Sequence, residues 1–168
     1  MRHLIIDGYN VLRTAARYKR LAQHDLESAR TRLIADASMM SDEGTRVTVV
    51  FDAGRNEISN GVARTVAGVD VVFSRTGSTA DDTIEALAAC ARSAGQHVVV
   101  VTSDAATQHT VMGGTVVRMS AREFAEEVER EQRDRSDSSG AAQTSVPVER
   151  RIDAEVRRVL DRWIGRER

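Results

Sequence analysis

Residues 4–10, Leu-Ile-Ile-Asp-Gly-Tyr-Asn, form the stretch around which the rest of the chain is organised. Three apolar residues run directly into an acid, which predicts a strand buried on both faces, as in parallel sheets. Asp7 then lies at the carboxyl end of this strand, the edge where ligands bind in open α/β sheets. Gly8 permits a tight turn, and Asn10 either caps the next helix or reaches a ligand. On this stretch alone, Asp7 and Asn10 could equally be ordinary turn and cap residues.

The composition of the chain sets outer limits on its function. It has 168 residues, a formal net charge of −1 and a single cysteine, Cys90. This length predicts one domain with a short appendage. One cysteine excludes a disulfide or a cysteine-based zinc site within the chain, which favours a reducing, cytoplasmic setting. No apolar run approaches the ~20 residues of a membrane span, and no signal peptide is predicted. Lys19 is the only lysine, and richness in arginine does not by itself establish RNA binding.

Strand-like and helix-like segments alternate along the chain. This alternation implies βαβ crossovers, and hence an α/β fold with a mostly parallel sheet and helices on both faces. Asp25 is the predicted N-cap of one long helix and Gly44 its stop, whereas the segment between Asn10 and Gln23 looks irregular and predicts a short helix and a loop. The predicted strands are residues 3–7, 47–51, 69–73, 98–101 and 115–118. The predicted helices are 25–42, 80–93, a short one at 105–112 and one capped by Ser120.

Two further segments set the predicted domain boundaries. Residues 53–67 are a predicted loop containing Arg55 and Arg64, either a substrate loop or a plain connector. Residues 133–147 are charged and then rich in serine and glycine, which predicts a linker after a domain over residues 1–132. Residues 148–168 form a predicted amphipathic helix, whose apolar stripe docks on its own domain or on a partner.

Acidic residues follow three of the predicted strands. Asp7 ends the first strand, Asp52 directly follows the second, and Asp104 follows the strand at 98–101 after Thr102 and Ser103. The carboxyl ends of parallel strands share one crevice. A fourth acidic element, Asp81-Asp82, opens the helix at residue 80. Helical spacing turns Asp81 towards the sheet edge and Asp82 towards solvent. Each acid by itself has a structural explanation, as a cap, a loop starter or a complement to a helix dipole.

Four carboxylates around one crevice would repel one another, and a bound cation relieves that repulsion. Oxygen ligands without cysteine or clustered histidine suit Mg²⁺ or Mn²⁺. A metal held by carboxylates fits phosphoryl transfer or phosphodiester cleavage, because it activates water and stabilises developing charge.

The order IDGYN, VVFD, TADDTIE and VVTSD resembles the NYN domain, a branch of the PIN-like nuclease superfamily, and more narrowly the YacP-like NYN proteins. The serine-led helix at Ser120 and the final helix with its tryptophan extend the resemblance over essentially the whole chain. It implies a three-layer, Rossmann-like PIN/NYN fold and a metal-dependent endoribonuclease that acts on RNA rather than DNA.

The resemblance also implies which residues form the site. It puts the catalytic metal ligands on Asp7, Asp81 and Asp104, with Asn10, Asp52 and Asp82 beside them. Characterised YacP-like proteins cut mRNA in the ribosomal A site during translation, so a ribosome partner is implied as well. Arg55, Arg64 and the last helix are hypothetical contacts to RNA or the ribosome. Ser103 and Thr102 either help to hold a phosphate or a ligand water, or bond only to the backbone.

Other functional classes fit the sequence less well. A dehalogenase-type phosphatase needs a second acid two residues after the first, where this chain has Tyr9. A phosphoacceptor receiver domain needs a lysine after a late strand, and Lys19 is too early. A dinucleotide-binding fold needs a glycine-rich first turn. A non-catalytic RNA- or ribosome-binding protein remains the alternative, although such a protein would gain by losing carboxylates that repel phosphate.

Overall fold

The computed structural model of the protein describes residues 1–53, 61–103 and 116–139. These residues form six strands and five helices. In chain order they are β1 (Arg2–Asp7), α1 (Gly8–Thr14), α2 (Ala16–His24), α3 (Leu26–Ser38), β2 (Thr45–Phe51), β3 (Arg64–Val66), β4 (Val69–Phe73), α4 (Ala80–Ser93), β5 (His97–Val101), β6 (Val116–Met119) and α5 (Ala121–Ser139). Arg55, Asp104, the predicted helix at 105–112 and the predicted C-terminal helix lie outside the described residues.

The strands form one mixed sheet in the order β3-β4-β2-β1-β5-β6. Every neighbouring pair is parallel except β3 and β4, which are antiparallel. Since β1 and β2 lie in the middle, Asp7 and Asp52 leave the sheet side by side at its carboxyl edge. The predicted α/β fold with a mostly parallel sheet is confirmed.

Helices cover both faces of this sheet, and the alternation of side chains along β1 shows how. Leu4 and Ile6 pack into the larger core, with residues of α1, α2, α3 and α5. Ile5 packs into the smaller core on the other face, with Ile84 and other residues of α4. The unbroken apolar run therefore serves two cores, which is why it does not alternate with polar residues. None of the helices in the described part of the chain is long and apolar enough to span a membrane.

Four segments differ from the sequence prediction. The stretch between Asn10 and Gln23 is two helices, α1 and α2, and the helix after Asp25 ends at Ser38, well before Gly44. Arg64 begins an edge strand rather than lying in a loop. The linker predicted from residue 133 is helical as far as Ser139, because the helix that starts after Ser120 runs on through its charged residues.

Two predicted helix caps are confirmed. The Asp25 carboxylate accepts hydrogen bonds from the backbone N–H groups of Glu27 and Ser28. At α5, the Ser120 hydroxyl accepts from the Glu123 N–H, and the Glu123 carboxylate accepts from the Ser120 N–H. This reciprocal pair is the capping box that the spacing predicted.

Glycine is required at position 8 because the neighbouring side chain leaves no room for a Cβ, and not because the backbone forms a tight turn there. Gly8 is the first residue of α1, and a Cβ added there would lie 2.3 Å from Cε1 of Phe51. Phe51 is fully buried and its ring lies against Tyr9 and Phe73, so it has little room to move. The absence of a side chain at Gly8 lets α1 begin directly above β2, which keeps Asp7 at the sheet edge.

Candidate active site

A groove with a volume of about 700 Å³ opens at the carboxyl edge of β1 and β2. One part of it, the acidic end, is formed where β1, β2 and α4 meet. The residues lining the acidic end are Asp7, Asn10, Asp52, Thr79, Ala80 and Asp81. The structure therefore brings three of the predicted acids, Asp7, Asp52 and Asp81, to one groove.

Asp7 joins the strand to the first helix. Its side chain is 8% exposed, and its Oδ1 accepts a hydrogen bond from the Asn10 N–H at 3.0 Å. Asp7 is thus the N-cap of α1, where a negative charge is favoured by the helix dipole. The cap role and the place in the groove are compatible, because one carboxylate oxygen can cap the helix while the group still lines the groove.

Asn10 connects the first helix to the end of β5. It lies inside α1 rather than at its cap, and its Oδ1 accepts from the Ser103 N–H at 2.8 Å. The Ser103 hydroxyl accepts from the Ala121 N–H at 3.3 Å, as the structural explanation of this serine predicted. Asn10 therefore holds in place the residue that directly precedes Asp104, and we interpret it as a positioning residue.

Asp52 connects β2 to α4. Its Oδ2 accepts from the Ala80 N–H at 3.3 Å, at the first turn of α4. The next residue, Ala53, donates its N–H to the buried Ser74 hydroxyl at 3.0 Å. These bonds place the start of α4 over the sheet edge and so bring Asp81 into the groove.

Asp81 and Asp82 point in different directions, as predicted. Asp81 lines the groove, whereas Asp82 is exposed and does not. The Asp82 carboxylate accepts from the Thr79 N–H at 2.9 Å and from the Ser78 hydroxyl at 3.1 Å. Hydrogen bonds from Thr79 and Ser78 hold the pKa of Asp82 below its usual range. Asp82 therefore caps the N-terminus of α4, and any effect it has on the site is exerted by holding Thr79 in place.

The groove is suited to a hard divalent cation, but the described residues do not complete a ligand set. Asp7, Asn10, Asp81 and Thr79 offer carboxylate, amide and hydroxyl oxygens there, the donors that Mg²⁺ and Mn²⁺ prefer. Within residues 1–53, 61–103 and 116–139, however, no three His, Cys, Asp or Glu side chains come together as a metal site. The third predicted ligand, Asp104, lies outside these residues, so the set of Asp7, Asp81 and Asp104 stays a prediction.

Of the two arginines predicted to contact RNA, the structure describes only Arg64, and Arg64 is not part of this groove. Arg64 is exposed on β3, opposite Val71 of β4, and is not among the residues that line the groove. Arg55 lies outside the described residues.

Sequence reasoning missed the second part of the groove, which α1 and α2 form. Tyr9 receives a hydrogen bond from Arg30 on its hydroxyl, and the Arg30 guanidinium lies 5.3 Å from its ring centre. The only local signal for this wall is a spacing of three and four residues within each short helix, which is too brief to stand out in the sequence. The residues lining the second part are Tyr9, Leu12, Arg13, Lys19, Ala22, Gln23 and Leu26.

Comparisons with known proteins agree with this fold. The family model of the YacP-like NYN domain matches residues 4–165. The uncharacterized protein YacP of Bacillus subtilis is 34% identical over 159 residues, which cover 93% of this chain and 82% of that protein. The crystal structure of Rae1 (YacP) from Bacillus subtilis aligns with a TM-score of 0.69 and 30% identity, over 99% of this chain and 90% of that one. A mutant form of the same protein aligns with a TM-score of 0.67 and 31% identity, over 89% of each chain.

Proposed function

The chain belongs to the YacP-like NYN domain family, and from that premise we propose that it is a metal-dependent endoribonuclease that hydrolyses phosphodiester bonds in RNA. The observation that carries the proposal is the convergence of Asp7, Asp52 and Asp81, from two strands and a helix, on one groove. NYN domains are nuclease-like, and RNA is the substrate that the family implies. A groove lined by carboxylates repels phosphate unless a cation is bound there, so the acids themselves favour a metal-dependent reaction.

The residues of the site have separable roles in this proposal. Asp7 and Asp81, with Asp104, would hold Mg²⁺ or Mn²⁺. When bound, the metal supplies water activation and neutralises charge on the phosphoryl oxygens. Asn10 restrains the segment before Asp104 through the Ser103 N–H. Asp52 restrains α4 through the Ala80 N–H, so it fixes where Asp81 stands without having to bind the metal.

The finer proposal concerns the setting of the reaction. We propose that the substrate is mRNA in the ribosomal A site during translation, in the cytoplasm. The support for it is the motif resemblance to YacP-like proteins that act there. A ribosome-bound substrate also suits an open groove, because the ribosome rather than the protein would hold the strand in place.

A cleavage assay with a matched control variant tests both the nuclease activity and its ribosomal setting. We expect the wild-type chain to cut a labelled mRNA in the presence of Mg²⁺ or Mn²⁺, and EDTA to abolish the cut. Asp81→Asn should lower the rate by more than about 100-fold, since changing even an outer partner of a metal ligand costs 10–100-fold. Glu85→Gln removes a carboxylate one turn further along α4, outside the groove, and should cut like wild type. Circular dichroism would establish that both variants are folded.

The same assay, run on free mRNA and on actively translating ribosomes, tests the proposed ribosomal setting separately from the nuclease activity. Cleavage only during translation supports A-site action, whereas equal cleavage of free RNA keeps the nuclease and removes the requirement for the ribosome. The alternative is a non-catalytic RNA- or ribosome-binding protein that retains the NYN fold. RNA binding without cleavage in either setting would establish that alternative, whereas cleavage unchanged in Asp81→Asn would contradict a nuclease centred on Asp81.

A further inference from the structure

The groove continues past its acidic end between two helices. Tyr9, Leu12 and Arg13 follow the spacing i, i+3, i+4 and so share one side of α1. Lys19, Ala22 and Gln23 follow the same spacing on α2. All of them line the groove, so each helix contributes one wall with a single cation. We call this part of the groove the basic arm, meaning the residues Tyr9, Leu12, Arg13, Lys19, Ala22 and Gln23.

The charges of the groove are separated along its length. Asp7, Asp52 and Asp81 stand at one end, and Arg13 and Lys19 stand in the basic arm. Arg13 follows Asp7 by six residues, which corresponds to about 9 Å along a helix axis. A ligand that reaches from the acidic end into the basic arm would therefore meet first a metal-binding surface and then two cations.

The two cations are available for a ligand. Both are exposed, and within the described part of the chain neither Arg13 nor Lys19 forms an ion pair with an acid. Arg13 donates through Nε to the Tyr9 carbonyl at 3.2 Å, which directs its guanidinium along the helix. Arg13 also lies in the last turn of α1, where a cation complements the dipole, but Lys19, near the middle of α2, has no such structural role.

Tyr9 lies one turn before Arg13 on α1, and its ring is held against its neighbours. The Tyr9 ring lies 5.2 Å from the Phe51 ring, measured between centres, and Arg30 bonds to its hydroxyl. Proteins bind single-stranded nucleic acid with aromatic side chains and cations along one groove. Because the Arg30 guanidinium already lies 5.3 Å from the centre of the Tyr9 ring, Arg13 and Lys19, rather than the ring, are left to contact a strand.

We propose that the basic arm binds single-stranded RNA next to the phosphate that is cut, with Arg13 and Lys19 on successive backbone phosphates. This inference rests on the proposed function, because it takes RNA as the substrate of the acidic end. It assigns the recognition of the flanking strand to α1 and α2, which are rigid elements of the fold. Since phosphates carry no sequence information, this contact would be independent of base sequence.

The first test measures how salt affects binding of a fluorescently labelled, single-stranded RNA, with EDTA present to keep it intact. For single strands, the slope of log K against log salt is about −0.7 for each phosphate neutralised. Arg13→Gln and Lys19→Gln should each reduce the steepness by about 0.7, and the double variant should bind about tenfold more weakly at moderate salt. Lys19→Arg keeps the charge and should retain the wild-type slope.

Arg20→Gln is the matched control. Arg20 is exposed on α2 next to Lys19, yet it does not line the groove. Its loss removes the same charge from the same helix and should leave the slope unchanged. If Arg20→Gln weakens binding as much as Lys19→Gln does, the attraction is a general effect of charge and the proposed contact is wrong.

A second test uses the fact that Lys19 is the only lysine of the chain. An amine-acylating reagent can then modify only Lys19 and the amino group of Met1, which lies at the start of β1, at the opposite edge of the sheet from Asp7. We expect bound RNA to protect Lys19 several-fold and to leave Met1 as reactive as before, as read by mass spectrometry. Equal reactivity of Lys19 with and without bound RNA would overturn the inference.

The outcomes distinguish this inference from the proposed function. Wild-type cleavage of RNA, together with an unchanged slope in the double variant, would overturn the role of the basic arm and leave the nuclease standing. Neither binding nor cleavage of RNA by the wild-type chain would overturn both. A reduced slope in the double variant, with Lys19 protected, supports the inference whether or not the ribosome is needed for cleavage.

Discussion

His3 is a buried imidazole in the centre of the sheet. It is 2% exposed, and its Nε2 lies 2.8 Å from the Thr48 hydroxyl oxygen. Within the described residues, its Nδ1 has no hydrogen-bond partner. Burial, and secondarily the nearby positive charge of Arg46, lower the pKa of His3 to about 4, although Asp70 opposes the shift. The folded protein therefore holds this side chain neutral at neutral pH.

We predict that His3 makes the protein less stable as the pH falls from about 6.5 to about 4. In this interval the unfolded chain takes up a proton on His3 that the folded chain does not, so the free energy of unfolding decreases. Between pH 7 and pH 5, the contribution of His3 to the free energy of unfolding should fall by about 2 kcal/mol. This contribution is fully present above about pH 6.5. Urea unfolding of wild type and His3→Gln at both pH values measures this.

The control is His97→Gln, since His97 is exposed on the neighbouring strand β5. This variant should show the same loss of stability as wild type between pH 7 and pH 5. If His3→Gln also retains the whole loss, His3 is not the group responsible.

At the level of elements, the N-terminus of α4 does two things at once. Thr79 and Asp82 form a capping box, in which each side chain accepts a hydrogen bond from the other residue's N–H. Asp81, which lies between these two residues in the chain, lines the groove. The cap therefore determines where a candidate metal ligand stands.

We predict that Thr79→Ala lowers the free energy of unfolding by about 1 kcal/mol, because the Asp82 N–H loses its acceptor. Asp82→Ala should lower the free energy of unfolding by less in the Thr79→Ala variant than in the wild-type chain, because the two hydrogen bonds are reciprocal. Chemical denaturation of the two single variants and the double variant measures this coupling. Ser93→Ala, at the other end of α4, should change stability by less than about 0.5 kcal/mol, and strictly additive effects at Thr79 and Asp82 would contradict the capping box.

At the scale of the whole molecule, Asp36 of α3 connects three helices, because it accepts hydrogen bonds from side chains of α2 and α5. It is 2% exposed on α3, and it accepts from Arg17 Nε at 2.9 Å and from the Tyr18 hydroxyl at 2.9 Å, both on α2. Gln132 of α5 donates to it at 3.1 Å across 96 positions of the chain. Burial, together with the charge of Asp36, raises the pKa of Tyr18 above its usual range. The network holds α2, which carries half of the basic arm, against the rest of the fold.

We predict that Asp36→Ala lowers the free energy of unfolding by about 3–5 kcal/mol, because it leaves the fully buried Tyr18 hydroxyl and the partly buried Arg17 guanidinium without their shared acceptor. Gln132→Ala should lower the free energy of unfolding by less than Asp36→Ala does. A double-mutant cycle between the two positions should give a coupling energy of roughly 0.5–3 kcal/mol. Urea denaturation measures all three variants. Glu131→Gln, beside Gln132 in an exposed pair with Arg135, should have an effect below about 1 kcal/mol, and a comparable loss there would contradict a special role for Asp36.

Local patterns in the sequence predict five of the six described strands and the acids at the strand ends. The apolar runs before Asp7 and Asp52 predict buried parallel strands, and strands of one direction must end at one edge. The caps at Asp25 and Ser120 were also predictable, because a helix terminus needs acceptors from a few nearby residues. Signals of this kind are local, so a single stretch of sequence contains them in full. They also sufficed for the family resemblance.

How these elements meet depends on contacts between distant segments of the chain. Nothing near Asp52 in the sequence indicates that it bonds to the Ala80 N–H, and the bond from Ser103 to Asn10 spans 93 positions. The basic arm was missed because α1 and α2 are short, and their few polar positions look irregular until both helices stand side by side. Likewise, the crowding of Gly8 by Phe51 and the burial of His3 and Asp36 depend on which faces are covered. Contacts between distant segments arise from packing, and packing is a property of the whole chain.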